Sequence, residues 1–390
     1  MKICACICEY NPFHLGHLKH IDYIKNRLDA EKIIVIMSGN FTQRGEPALL
    51  DKFTRAKHAV IAGADLVIEL PTVFATANAE TFATGAVNLI NSLGCVDGIC
   101  FGVESGDKAA YLTLAKAMCD ESKEFKKALK EKLDGGISLA KAKFEALKSL
   151  GKTEFDANLI SSPNNILGLE YTKALIKNNS NIEIYPMLRD GDHNDVTLKS
   201  GVTSATSIRE TLKTGNKKKV KKNVPKFVYE DLTEYPFAFD KLITSSVIRA
   251  SAEDLAKIQD CTEGLENRIK ALSKDNHTVA ELVEKVSTKR YPASRVRRIL
   301  TANLLGIDKD LVIDCLKQKT YAKILAVNKD CKDLISQVCQ TSQVPVLTRK
   351  SDVMQLKKSA LKAFEIDVLA NDLYSLATEK KTNEHQTLFV

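Results

Sequence analysis

An apolar run opens this chain, Ile3-Cys4-Ala5-Cys6-Ile7-Cys8, and runs of the same kind return at residues 32–37, 65–69, 97–101 and 182–185. Runs of this length read as buried strands, and the longer stretches between them have polar faces at helical spacing. Strands alternating with helices predict the α/β class, a Rossmann-like parallel sheet with helices on both faces. In such sheets ligands bind beyond the carboxyl ends of the strands, so the segments after each run are where chemistry is to be sought.

The segment after the first run is Asn11-Pro12-Phe13-His14-Leu15-Gly16-His17. A helix N-terminus presents unpaired backbone N–H groups and a partial positive charge, and therefore holds phosphate well. Pro12 fixes the backbone just before the expected helix, and Gly16 removes a side chain where a ligand approaches the backbone. His14 and His17 fall on one helix face. Two imidazoles beside a phosphate donate hydrogen bonds and stabilise the charge that develops on a pentavalent phosphorus and its leaving pyrophosphate. The competing explanation is a pair of partly buried histidines capping an ordinary first helix. A metal site is a further alternative, because Cys4, Cys6 and Cys8 share one face of the strand. Zinc ligands favour wider spacing at turns, so the cysteines read as small core residues and no metal ligand is assigned. The other cysteines are scattered without paired spacing, as expected of reduced thiols in a cytoplasmic protein.

Later strand ends are polar too. Residues 38–47 read SGNFTQRGEP and residues 102–106 read GVESG, with Gly39 and Gly102 placed where a backbone passes close to a base or ribose, although ordinary turn chemistry explains each as well. Ser162-Pro163-Asn164-Asn165 marks a helix start, at which either asparagine is also a candidate cap. Arg189 follows the fifth run, and Thr203-Ser204-Ala205-Thr206-Ser207-Ile208-Arg209 opens another helix, a second candidate phosphate clamp.

With 390 residues, 44% hydrophobic and 27% charged, the chain is long enough for two cores, and no stretch approaches a membrane span. Its first residues do not resemble a signal peptide. The net charge of +8 is modest but clustered, with one run over Lys217, Lys218, Lys219, Lys221, Lys222 and Lys226. A second run comprises Lys289, Arg290, Arg295, Arg297 and Arg298. Both are compatible with a polyanion partner or with a solvated surface. From about residue 216 the pattern turns helical, over 252–274 and 294–305 in particular, and a late apolar strand at 344–348 points to a C-terminal part that folds back. Two domains are expected: a catalytic α/β domain over residues 1–215, and a mainly helical, basic domain over 216–390. No membrane and no obligate protein partner is expected.

The early H-x-G-H and the late S-x-T-x-I-R together resemble the nucleotidyltransferase superfamily, in which the two motifs grip ATP. Thr203 and Ala205 depart from that family's usual isoleucine and serine. A narrower likeness is carried by EYNPFHLGH (9–17), SGNFTQRGEPA (38–48), RAKHAVIAGADLVIELP (55–71), SPNNILGLEY (162–171), EGLENRI (263–269) and TKRYPASRVRRIL (288–300). These segments resemble the bacterial tRNA(Met) cytidine acetate ligase family. The resemblance implies a ligase that joins ATP and acetate into acetyl-adenylate, releasing pyrophosphate. The acetyl group then passes to N4 of the wobble cytidine of elongator tRNA(Met), giving N4-acetylcytidine. A small-molecule adenylyltransferase and a tRNA-binding module without catalysis are the alternatives.

Carried over by matching position, the family implies His14 and His17 as catalytic residues. It implies ATP contacts from Ile7, Cys8, Glu9, Tyr10, Asn11, Pro12, Phe13, His14, Leu15, Gly16, His17, Leu18, Lys19, His20, Gly102, Asn164 and Arg189. Asn165, Ser204, Thr206 and Arg209 are further candidates, as are Ser38, Arg44 and Asp65. A Mg²⁺ ion bridging the phosphates is expected from the chemistry. Lys289, Arg290, Arg295, Arg297 and Arg298 are the candidate tRNA contacts, with stacking from Tyr291.

Overall fold

The computed structural model describes residues 2–119, 122–135, 137, 139–151, 156–189, 203–232, 239–275 and 278–390. The early apolar runs form β1 (Ile3–Cys8), β2 (Lys32–Ser38), β3 (Leu66–Leu70), β4 (Gly98–Val103) and β5 (Glu183–Leu188). They pair in parallel in the order β5-β4-β1-β2-β3. The central strands are mostly apolar because both faces are covered. Ile3, Ala5, Ile34 and Ile36 enter one core, while Cys4, Cys6, Ile33, Val35 and Met37 enter another on the opposite face.

The sheet then takes three more strands from the far end of the chain. β6 (Ala322–Val327) pairs antiparallel with β3. β7 (Val346–Leu347) and β8 (Leu388–Phe389) both pair parallel with β6. β7 lies within the late apolar stretch, whereas β6 carries a lysine at a wholly buried position and was not legible as a strand. Lys323 is tolerated there by charge pairing: its Nζ is 3.1 Å from Glu69 and also bonds Glu384, and both carboxylates pair with the buried Lys52 at 2.7 Å. Gly39 serves this ion cluster, because a Cβ at residue 39 would collide with the Glu69 carboxylate. The proximity to a base or ribose expected of Gly39 is replaced by that packing role.

The sheet therefore draws on both sides of the 215/216 division, and one core continues from Ile3 into the helices that carry Val247, Ile299 and Phe364. Most of the segment between residue 216 and β6 is helical. The continuous helix expected over 252–274 is instead two, Ala252–Ala256 and Leu265–Leu272. The chain turns between them through positive φ at Asp260, Glu263 and Gly264. Among the described residues no helix is long and apolar enough to cross a membrane.

Candidate functional site

His14 is the N-cap of the helix Leu15–Asn26. Its Nδ1 accepts the Gly16 N–H at 3.0 Å, and His17 Nδ1 accepts the His14 N–H at 3.2 Å, a reciprocal capping box made by two histidines. Their rings stack with centroids 3.7 Å apart and 26° between planes. Because both Nδ1 atoms accept, each neutral ring carries its proton on Nε2 and is a donor there. Both residues line a cavity. Capping and ligand binding are thus compatible roles: the pair that satisfies the helix's orphan amides also lines the cavity.

That cavity, about 210 Å³, lies at the carboxyl ends of β1, β2, β4 and β5, the location a doubly wound sheet predicts. β1 and its turn supply Ile7, Cys8, Glu9, Tyr10, Asn11, His14, Gly16, His17 and His20. The segment after β2 adds Thr42, Gln43 and Arg44, and β4 and β5 add Phe101, Gly102, Met187 and Arg189. Pro163, Asn164, Leu167 and Tyr171 come from the helix Pro163–Lys177, and Ala205, Thr206 and Arg209 from the helix Ala205–Lys213. Phe82 completes the wall. Three helices therefore begin at this cavity, each with first-turn residues in its lining, so three positive dipole ends converge on it. Among the described residues of the lining, three guanidinium groups, Arg44, Arg189 and Arg209, stand with one carboxylate, Glu9. The site is built for an anion with several charges.

Specific bonds hold these parts in register. Arg55, fully buried, donates from Nε to Leu50 O, from Nη1 to Glu9 O at 2.6 Å and Ser38 O at 3.0 Å, and from Nη2 to Gly39 O. It thereby ties the ends of β1 and β2 together. Glu9 accepts the Gln43 N–H at 2.7 Å, which fastens the loop after β2 to the turn after β1. Arg209 donates from Nη1 to Asn11 O at 2.7 Å, so the late clamp is joined to the early one. At residue 102 a Cβ would stand 2.9 Å from Arg189 Cδ, so the glycine makes room for the arginine side chain. His20 is pushed down to about 4 by burial and then by the charge of Arg189, so it is neutral at pH 7. Cys6 is pushed up to about 12 by burial and Cys4 is raised further, which leaves both as inert core thiols.

The two asparagines separate cleanly. Asn165 is fully buried and outside the cavity: its Oδ1 accepts the Glu104 N–H, and its Nδ2 donates to Ser105 Oγ and Asn158 O, each at 2.8 Å. Asn164 lines the cavity and donates to Glu104 at 2.6 Å. Neither caps the helix, since Ser162 Oγ accepts the Asn165 N–H.

Other candidates lie outside the cavity lining for identifiable reasons. Phe13 is in the core beside Ile21 and Ile24, and Leu18 packs against it. Leu15 donates its N–H to Asn223 O, Lys19 is exposed, and Pro12 is buried outside the lining. Ser204 is the N-cap of the Ala205–Lys213 helix. Asp65 accepts the Ile33 N–H near the start of β2, at the opposite end of the sheet, and Ser38 is buried outside the lining. The residues least legible in advance are Phe82, Phe101, Leu167, Tyr171 and Met187, whose types are indistinguishable from core residues in sequence.

The basic residues over 289–298 are held by several bonds to neighbouring segments. Arg290 pairs with Glu263 at 3.0 Å, and Arg295 donates to Asp260 O at 2.8 Å and to Thr262. Arg298 is mostly buried, 4.0 Å from Asp260. Arg297 pairs with Glu46 at 3.4 Å, and Lys289 is exposed. The Tyr291 ring, expected to offer a stacking face, lies under Arg295 at 5.3 Å, with its hydroxyl donating to Glu263 O.

Comparison with known proteins agrees with this geometry. A family model described as HIGH nucleotidyl transferase matches residues 1–388. A tRNA(Met) cytidine acetate ligase of Acetivibrio thermocellus is 39% identical over 96% of this chain and 94% of its own length. One from a Thermoanaerobacter species is 38% identical over 97% and 96%. Thermotoga maritima TmcAL superposes over the whole of both chains, with a TM-score of 0.93 in its apo form at 29% identity. Its structure bound with alpha-thio ATP gives 0.91 at 28% identity, again over all of both chains.

Proposed function

The chain belongs to the tRNA(Met) cytidine acetate ligase family of HIGH nucleotidyl transferases, and from that premise we propose how its cavity works. It is an ATP-dependent ligase that makes acetyl-adenylate and transfers the acetyl group to N4 of the wobble cytidine of elongator tRNA(Met). The observation that carries the reading is the convergence of three helix N-termini, the capped histidine pair and three arginines on one cavity.

An acetate oxygen attacks the α-phosphorus of ATP and the bond to the β-phosphate bridge breaks, so pyrophosphate leaves with the electron pair. The reaction needs charge stabilisation on the phosphorus and on the departing oxygen, and the Nε2–H groups of His14 and His17 supply it. Strand order divides the cavity. Gly102, Asn164 and Arg189 lie beyond β4 and β5 on one side of the β1 turn, while Thr42, Gln43 and Arg44 lie on the β2 side. The nucleotide occupies the first side and acetate the second, with the reacting phosphorus at the histidines between them. The cytidine amine then attacks the acetyl carbonyl carbon, the bond to AMP breaks, and the amine loses a proton.

Mg²⁺ is assigned in this reading to the triphosphate that carries it. Among the described residues there is no group of three metal-ligating side chains, and Glu9, the carboxylate in the lining, is engaged by Gln43. The tRNA surface is assigned to Lys289, Arg290 and Arg297 at the end of the chain's basic helical segment, with Arg295 and Arg298 bracing it from within. A cytoplasmic setting accords with ten free cysteines.

Acetate-dependent exchange of labelled pyrophosphate into ATP, without tRNA, tests the first step, and acetylation of elongator tRNA(Met) tests the second. Exchange that ignores acetate would point to a small-molecule adenylyltransferase instead.

A further inference from the structure

Residues 41–47 form a tight turn between β2 and the helix Lys52–Ile61. Gly45 N donates to Thr42 O and Thr42 N to Glu46 O, both at 2.9 Å, and Phe41 bridges Pro47. The turn stands between two supports. On one side Gln43 N donates to Glu9, in the turn after β1, and Gln43 Nε2 donates to Ala77 O at 3.1 Å. On the other side the tip presses directly on the helix Ala293–Leu305. A Cβ at Gly45, whose φ is +71°, would stand 2.5 Å from Arg298 N and 2.6 Å from Arg297 C. Thr301, wholly buried, donates its hydroxyl to Gly45 O at 2.8 Å, and Glu46 pairs with Arg297 at 3.4 Å. The contact spans more than 250 residues of sequence.

Gln43 and Arg44 line the cavity on the β2 side, opposite Arg189 across the β1 turn. A carboxylate bound on that side meets Arg44 as its nearby cation, and the position of Arg44 is set by the tip on which it rides. We propose that Arg44 holds the carboxylate of the small acid, and that Gly45 and Thr301 are positioning residues that fix Arg44 through the Ala293–Leu305 helix. The inference rests on the acid-activating reading above. It adds that a buried threonine in the helix carrying the basic surface governs how well the acid is held, while the nucleotide is held by groups on the other side.

Thr301→Val keeps the shape and removes the donor, leaving Gly45 O buried without it. In acetate-dependent pyrophosphate exchange, Thr301→Val raises the acetate KM at least tenfold while the Kd for ATP, measured by equilibrium dialysis, stays within twofold. Thr301→Ser, which keeps the hydroxyl, returns the acetate KM to near the wild-type value. Arg44→Ala raises the same KM, and the double variant is no worse than Arg44→Ala alone within about threefold, because both act on one contact. Arg297→Gln loosens the tip from the surface and produces a smaller rise in the same constant, which keeps the test open if Thr301→Val fails to fold. An unchanged acetate KM in Thr301→Val or, should that variant not fold, in Arg297→Gln overturns the inference. So does a parallel rise in the ATP Kd, or multiplicative effects in the double variant. Absence of acetate-dependent exchange in the wild-type protein overturns the functional reading itself, a separate outcome.

Discussion

His14 both caps a helix and faces the cavity, and two substitutions separate the roles. Asn places its Oδ1 at the same branch position as the imidazole Nδ1 and is among the best N-cap residues, so His14→Asn retains the bond from Gly16 N–H seen at 3.0 Å. His14→Ala loses it, at a cost of about 1 kcal/mol. Both remove the Nε2 donor. Loss of one donor to developing charge costs about 3 kcal/mol of barrier, a rate reduction on the order of 10²- to 10³-fold. Guanidinium unfolding followed by circular dichroism should therefore rank His14→Asn near the wild type and His14→Ala about 1 kcal/mol below it. Pyrophosphate exchange should fall by the same large factor in both. If His14→Asn retains exchange within about tenfold of the wild type, the histidine acts as a cap and its catalytic role is refuted.

The adjacent asparagines should behave oppositely. Asn165→Ala breaks three buried hydrogen bonds and lowers stability by about 2–4 kcal/mol in denaturant titration, whereas Asn164→Ala leaves unfolding nearly unchanged and raises the ATP KM. Asp367 has its carboxyl raised to about 7 by burial and then by the charge of Glu69. Its folded pKa exceeds the unfolded value, so its contribution is fully present below the ordinary carboxylate range and is lost as pH rises through 7. Asp367→Asn should accordingly gain on the wild type by about 1 kcal/mol or more between pH 5 and pH 8, measured by unfolding at each pH. Lys289→Glu combined with Arg290→Glu should weaken tRNA binding and reduce the slope of log affinity against log salt by about two, with pyrophosphate exchange in the absence of tRNA unaltered.

The first five strands and the His14–His17 turn were legible because each rests on local pattern. A run buried on both faces is apolar throughout, and a helix start carries its own capping and turn residues. β6 was not legible because Lys323 belongs to a strand only once Glu69 and Glu384 arrive from elsewhere in the chain. Asn164 and Asn165 are adjacent and chemically identical, so which one faces the ligand depends on the rotation of the helix about Ser162. Gly102 lines the cavity, and its missing side chain also leaves the space that Arg189 occupies, a partner no local pattern could name. The role of Arg55 was not legible, because its four carbonyl partners lie on three separate backbone segments that only folding brings together.

That arrangement of arginines bears on how the cavity releases product. Arg55 is saturated by backbone carbonyls and adds rigidity to the ends of β1 and β2. Arg209 is partly committed, bonding Asn11 O while it also lines the cavity. Arg44 and Arg189 sit on loops beyond the strands, on opposite sides of the β1 turn. A polyanion held by convergent dipoles and guanidiniums is stabilised as substrate and as transition state alike, and uniform binding of that kind does not accelerate chemistry. On the proposed mechanism the acceleration comes from donors at His14 and His17, whose orientation the capping box fixes. The same logic gives the amide bonds at Nδ1 a purpose. A ring that accepts at Nδ1 and carries its proton on Nε2 adds a donor without a further fixed positive charge from that bond, and so, on the proposed mechanism, holds the transition state and lets the product go.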